Sequence, residues 1–453
     1  MPDDSQDAWV GELLRSHAAR GDVDLRAFTE RVLNEVDAPA RPRRPGAWRG
    51  RFPPVLVAAA AVAAVAVASS VLSDIAGRDD RGGQSAAAAP SGPSTAAAPS
   101  GSVSLPTTIG EPTAVSAPVT SAGPPARSEP TRGAASLPST FEWGSATTVL
   151  PPRWGPDGLI AFKDPTAVRF GGFWHVFVTT VKPIGYGLGY LRFADWSQAA
   201  SAPLHDLASS SIGPGFRATP QVFWFAPQKL WYLVYQTGQA SYSTNPDIND
   251  PDGWSAPESF YRGVPDLVRE HVPPGGYWVG MWVSCDDVSC YLFSSDSRGH
   301  LFRSRTSAAD FPGGMSPPVI AAQSDGGTTF AADRVYKVAG ASKYLLLAQA
   351  FGPDGRGYLR SWTSPRIDGR WVPLADTPAN PFVGRSNVAT ATAPWTASVL
   401  HGELLRDGYD QTLTVSPCRL QLLALGLDER HHDDSAFQIG LLTQANPTCR
   451  QGG

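Results

Sequence analysis

No cysteine precedes Cys285 in this chain of 453 residues, and only four occur in all, at Cys285, Cys290, Cys418 and Cys449. No Cys-x-x-Cys or Cys₂His₂ spacing is present, which removes a structural zinc module. Methionine is scarce (3) and charged residues make up 17% of the chain. That fits a rigid secreted fold better than a plastic helical hub. A net charge of −4 is small for this length and argues against a nucleic-acid or general polyanion surface. What the chain has in quantity is 14 Trp, 12 Tyr and 19 Phe, among 45 Gly and 42 Pro. This is the composition of an aromatic-rich β protein with a surface turned toward sugar or another ligand. The even cysteine count suits two disulfides in an oxidising compartment. Cys285–Cys290 with Cys418–Cys449 is the simplest pairing, although four cysteines permit other connectivities.

One stretch of small apolar residues, VLVAAAAVAAVAVASSVL at 55–72, carries no charge. With its flanks it covers 53–75, enough to cross a bilayer as one helix; a buried helix of a soluble domain is the alternative. Too much chain precedes it for a cleaved signal peptide. Arg41, Arg43, Arg44, Arg49 and Arg51 crowd its N-terminal side, whereas Asp74, Arg78, Asp79, Asp80 and Arg81 mix signs on the other. Positive charge stays inside, so the expectation is a single-pass cell-membrane protein with its C-terminal part extracellular. Residues 1–50 read as a cytoplasmic helical segment, with stripes at Trp9, Leu13 and Leu14 and at Leu25, Phe28, Val32 and Leu33 on either side of Gly21. Neither stripe buries much alone, which leaves an inert tether or a docking piece for a cytoplasmic regulatory protein. From 76 to 136 the chain turns to Ala, Pro, Ser, Thr and Gly, too little apolar surface to offset backbone entropy, and reads as a disordered linker.

From Leu137 onward the pattern changes to aromatic and β-branched runs parted by Gly, Pro, Asn and Asp: FWHVFVTT (173–180), LWYLVYQ (230–236), CYLFSS (290–295), KYLLLAQA (343–350) and LTVSP (413–417). Their recurrence with hairpin partners predicts repeated antiparallel sheets, all-β. Radial blades protect sheet edges, so the spacing favours a propeller over a sandwich.

Long stretches of 137–453 carry a more specific signal: LPSTFEW (137–143), KDPTAV (163–168), WHVFVTT (174–180), DWSQAASAP (195–203), PQVFWFAPQKLWYLVYQTG (220–238), CYLFSSDSRGHLFRS (290–304), RSW (360–362) and HGELLRDGYDQTLTVSPC (401–418). The domain resembles glycoside hydrolase family 62, the α-L-arabinofuranosidases acting on arabinoxylan. The resemblance implies a five-bladed propeller with a pocket at one end of its axis. It also implies an inverting mechanism, in which a base activates water and an acid about 6.5–9.5 Å away protonates the leaving oxygen. A third carboxylate tunes the acid.

Mapped residue by residue, the base is Asp164 of Lys-Asp-Pro, and it is present. The tuning aspartate normally precedes Met-Trp; here the chain reads WVGMWVSCDD (278–287), and the position is Gly280. The acid normally stands in F-E-A-x-N-V-Y-K; here the chain reads FAADRVYK (330–337), and the position is Ala331. Asp333 shares a strand face with Ala331 but lies about 7 Å along the strand, too far for direct proton donation without local rearrangement. Glu403 is acidic in members with an intact triad as well. By the same resemblance Lys163, Gln221, Trp282, Tyr358 and Arg360 surround the sugar. For Trp282 and Tyr358 packing within a blade is the other reading, and for Asp164 an ordinary ion pair. The resemblance requires no cofactor but implies a structural calcium on the propeller axis touched by His401, which as a lone histidine also reads as a hydrogen-bonded core residue.

These expectations combine into a membrane-tethered protein that recognises an arabinose-decorated polysaccharide (arabinoxylan or arabinan) with a degraded catalytic triad, in the layout of a sensor. An anchored arabinofuranosidase and a wall scaffold that no longer binds sugar are the alternatives.

Overall fold

The computed structural model describes residues 136–449 apart from 154–157, 184, 273–275, 297, 325–333, 390–394, 397 and 428–436. The segment expected to be cytoplasmic, the span at 53–75 and the linker up to residue 135 lie outside the described residues. Among the described residues no helix is long and apolar enough to cross a membrane.

Five antiparallel sheets, most of them four-stranded, follow one another along the chain and form the five blades of a β-propeller. Blade I holds β2 (Ala161–Phe170), β3 (Phe173–Lys182), β4 (Gly185–Phe193) and β5 (His205–Asp206). Blade II holds β6 (Ala218–Phe225), β7 (Leu230–Gln236), β8 (Ala240–Asn245) and β9 (Glu258–Ser259). The short helix α1 (Asp266–His271) leads to blade III: β10 (Trp278–Cys285), β11 (Ser289–Asp296), β12 (His300–Ser307) and β13 (Val319–Gln323). Blade IV runs through β14 (Arg334–Val338), β15 (Tyr344–Phe351), β16 (Gly357–Ser364), β17 (Val372–Thr377) and β18 (Asn380–Pro381). It is extended by β20 (Thr414–Val415), which pairs with β14 in parallel. Blade V combines β19 (Ser398–Leu404), β21 (Gln421–Leu427) and β22 (Phe437–Thr443) with β1 (Thr147–Leu150) from the start of the domain. Thr147 faces Leu441, so the first strand completes the last blade and ties the ends of the domain together.

The strand patterns follow from where each strand sits. A blade is covered by a neighbour on each face, so its middle strands lose the simple in–out alternation of a one-sided sheet. In β3, FWHVFVTTVK, every residue from His175 to Val181 is buried. The β2–β3 hairpin turns on Gly171 and Gly172, whose φ values of 59° and 86° are the left-handed pair that a tight hairpin with native twist requires. Cys285 and Cys290 face each other across β10 and β11 and are disulfide-bonded, and Cys418 is bonded to Cys449 in the tail.

At the centre, side chains from several blades converge and their charges must be matched. Arg406 and Glu403 are both buried, with Nη2 of Arg406 2.7 Å from Oε1 of Glu403 on β19. The same guanidinium donates to the carbonyls of Val222 on β6 and Ala167 on β2, each at 2.9 Å. One side chain therefore joins blades I, II and V. Arg406→Ala strands a buried carboxylate and two carbonyls and is expected to destabilise the domain by about 3–5 kcal/mol in urea unfolding. A loss below about 1 kcal/mol, the range of an exposed ion pair, would show that the pair is solvated.

Candidate active site

Among the described residues, the inner strands of four blades share one irregularity. Pairing slips between Lys163 and Thr166 on β2, between Ala218 and Gln221 on β6, between Val279 and Trp282 on β10, and between Val399 and Gly402 on β19. A slip of this kind kinks the strand and re-aims a side chain that the pleat would have placed on a blade face. Three of these bulges contain a left-handed residue: Asp164 (φ 49°), Thr219 (φ 56°) and Gly280 (φ 74°). Asp164, where the base is expected, and Gly280, where a carboxylate is expected to be missing, thus occupy equivalent places on blades I and III. Left-handed backbone at a residue with a side chain costs about 1–3 kcal/mol and concentrates at functional sites. At 280 glycine adopts it freely.

Asp164 is held from two sides. Its Oδ2 accepts from the Thr179 hydroxyl at 2.9 Å, and that oxygen accepts in turn from the Thr219 backbone N–H at 2.8 Å. Its Oδ1 lies 3.3 Å from Nδ1 of His401. The other ring nitrogen of His401, Nε2, meets Nη2 of Arg334. The Arg334 guanidinium lies 4.3 Å from the centre of the Trp282 ring, whose Nε1–H donates to the Val335 carbonyl at 3.2 Å. Arg334, Trp282 and His401 are buried. Burial first, then the positive charges of Arg334 and Lys163, hold His401 well below the usual histidine range, so its ring is neutral. Lys163 donates to the Tyr186 hydroxyl at 3.2 Å, its ammonium between the rings of Tyr186 and Phe437.

Lys163, Asp164, Trp282 and His401 therefore belong to one connected group. Gln221 does not reach it through its amide: Nε2 donates to the Val283 carbonyl and Oε1 accepts from the Val283 N–H, both at 2.7 Å. The side chain staples blade II to blade III. Tyr358 lines a separate cavity of about 360 Å³ with Asp354, Arg356, Pro381, Arg385 and Ser386. Its neighbour Gly357 packs against Leu400 and Val399 of β19, which sets this cavity beside the strand that carries His401. Arg360 is engaged within blade IV, donating through Nε to the Asp376 carbonyl at 2.7 Å and stacking on Trp362 at 4.7 Å. Ala331 and Asp333 lie outside the described residues.

The calcium expected against His401 does not fit the residues as they stand. Nε2 faces a guanidinium, and a second cation there would be repelled. Among the described residues no group of three or more His, Cys, Asp or Glu side chains could hold a metal ion. Sequence reasoning passed over Thr179 and Arg334. Thr179 carries no signal beyond a strand threonine. Arg334 has one, because it stands where the F-E-A-x-N-V-Y-K pattern has asparagine.

Gln221→Leu removes the staple and leaves an N–H and a carbonyl of Val283 without their partner. The expected loss of stability is about 1–3 kcal/mol for each group left unpaired, with polysaccharide affinity unchanged by calorimetry at a temperature where the variant is folded. Affinity lost without stability would place the amide at the sugar instead.

Comparison with known proteins gives one consistent answer. The sequence profile of Glycosyl hydrolase family 62 matches residues 142–443. Alpha-L-arabinofuranosidase C of Cellvibrio japonicus is 35% identical over 311 residues, 68% of this chain. That match spans about half of the relative's length, 47%. The catalytic domain of a family 62 α-L-arabinofuranosidase from Coprinopsis cinerea is 50% identical, with a TM-score of 0.67 covering 69% of this chain and all of that one (100%). An α-L-arabinofuranosidase of Podospora anserina, solved with cellotriose, is 45% identical with a TM-score of 0.66, covering 69% of this chain and 99% of its own. With five blades around a bulged, Asp-bearing inner strand and a profile match over most of the propeller, the chain belongs to glycosyl hydrolase family 62.

Proposed function

We propose that this protein recognises arabinofuranosyl-bearing polysaccharide, arabinoxylan or arabinan, and hydrolyses it slowly at best, acting as a sensor tethered to the outer face of a membrane. The observation that carries the reading is the asymmetry between two equivalent bulges. Asp164 is present, exposed enough to meet a ligand (14%), and held through Oδ2 by Thr179 with Oδ1 3.3 Å from His401, whereas Gly280 offers no side chain at all. A carboxylate so placed can take a proton from water. Gly280 stands where the carboxylate that tunes the acid is expected, and Ala331 where the acid itself is expected. Departure of a sugar hydroxyl needs a proton delivered to the leaving oxygen, and positioned acid catalysis contributes about 10²–10⁴-fold. The names of the relatives support arabinofuranosyl chemistry, and the organised state of Asp164 favours a second reading, an anchored α-L-arabinofuranosidase of reduced rate.

Purified protein is expected to bind arabinoxylan but to release arabinose at least about 10²-fold more slowly than with Gly280→Asp and Ala331→Glu combined. An aryl arabinofuranoside, whose leaving group needs little protonation, should gain far less from the double change, and Asp164→Asn should abolish both activities. Fast native turnover on arabinoxylan that survives Asp333→Asn and Glu403→Gln would remove the sensor reading and leave the enzyme.

The tether rests on the uncharged run at 55–72 and the arginines before it. On intact cells a cysteine introduced near residue 100 should react with an impermeant thiol reagent, and one near residue 20 should not. Reaction at the residue-20 site alone would invert the topology, and release of unlabelled soluble protein would remove the span.

A further inference from the structure

Arg334 opens β14, is 1% exposed, and lies at the propeller axis with its guanidinium against the Trp282 ring and Nη2 against Nε2 of His401. A guanidinium has only donors and does not give up its proton. The imidazole nitrogen facing it must therefore present its lone pair. In a neutral ring that leaves the single proton on Nδ1, the atom 3.3 Å from Oδ1 of Asp164. A metal ion bound to this histidine would use the same lone pair, and one lone pair serves one partner.

We propose that Arg334 is the resident cation of the propeller axis, taking the Nε2 lone pair of His401 that a metal ion would otherwise use and thereby leaving the ring's one proton on Nδ1, the nitrogen beside Asp164. Arg334 is thus a positioning residue: it acts on Asp164 through the tautomer of His401. Because the charge is covalently part of the chain, chelators cannot remove it. The inference does not depend on whether the protein turns over sugar.

The test uses the purified full chain in detergent. In the native protein, thermal unfolding should be the same in EDTA and in millimolar calcium. Terbium emission sensitised by tryptophan should not differ between native protein and His401→Gln. In ¹⁵N-histidine NMR, His401 should show an unprotonated Nε2 and a protonated Nδ1. Arg334→Asn should free the lone pair, giving terbium emission that calcium competes away and His401→Gln abolishes. It should also raise Tm by roughly 5 °C at a hundredfold calcium excess over Kd. Arg334→Lys, which keeps a cation, should stay indifferent to calcium. A calcium-dependent Tm in native protein that His401→Gln removes would overturn the proposal, as would a native Nε2–H tautomer. A folded Arg334→Asn that ignores calcium would overturn it as well. If Arg334→Asn does not fold even with calcium, the native measurements decide by themselves.

Discussion

Burying a charge without a partner is among the most expensive things a fold can do, and this propeller places several where its inner strands meet. Glu403 and Arg406 answer each other at 2.7 Å, and Arg406 uses its remaining donors on carbonyls of two other blades. Asp164, His401 and Arg334 form a second series, with a neutral imidazole between a carboxylate and a guanidinium. Each series brings a carboxylate and a guanidinium together, and the Lys163 ammonium adds a further positive charge beside the second. The blades supply apolar packing, but the manner in which their inner edges meet is set by these charges.

The same constraint connects departures from the family pattern that are scattered in the sequence. Gly280 and Ala331 stand where the pattern has carboxylates, and Arg334 stands where it has asparagine. All three changes shift the sequence's charge in one direction, losing negative charge or gaining positive charge. The bulges add a geometric term. An aspartate restored at 280 must accept the left-handed backbone that glycine now takes freely, at a cost of about 1–3 kcal/mol. Restored chemistry would thus come with reduced stability, and the two have to be measured separately.

How much of this was legible differs by level. Runs such as FWHVFVTT and LWYLVYQ announce buried strands because a blade covers both faces, and spacing favours radial sheets. The number of blades came from the resemblance, since closure depends on Thr147–Leu150 pairing with a strand nearly three hundred residues later, a short segment with no local signal of its partner. Asp164 and Gly280 could be placed because they sit in distinctive motifs. The orientation of Gln221 could not, because a one-residue slip in register overturns the period-two rule by which strand faces are assigned. Thr179 was hidden for a different reason: its hydroxyl matters only because β6 brings the Thr219 N–H against it from another blade.

Recognition and turnover separate at such a site for a physical reason. An acid that protonates the leaving oxygen acts mainly in the transition state, so its removal slows the chemical step while leaving ground-state contacts largely in place. The cavity at Tyr358, beside β19, adds polar walls from Asp354, Arg356 and Arg385 outside the axial group. Loss of an acid therefore need not lower affinity. Slow chemistry is a defect in a hydrolase and a requirement in a receptor, so affinity and turnover measured on the same polysaccharide are the two quantities that separate the readings.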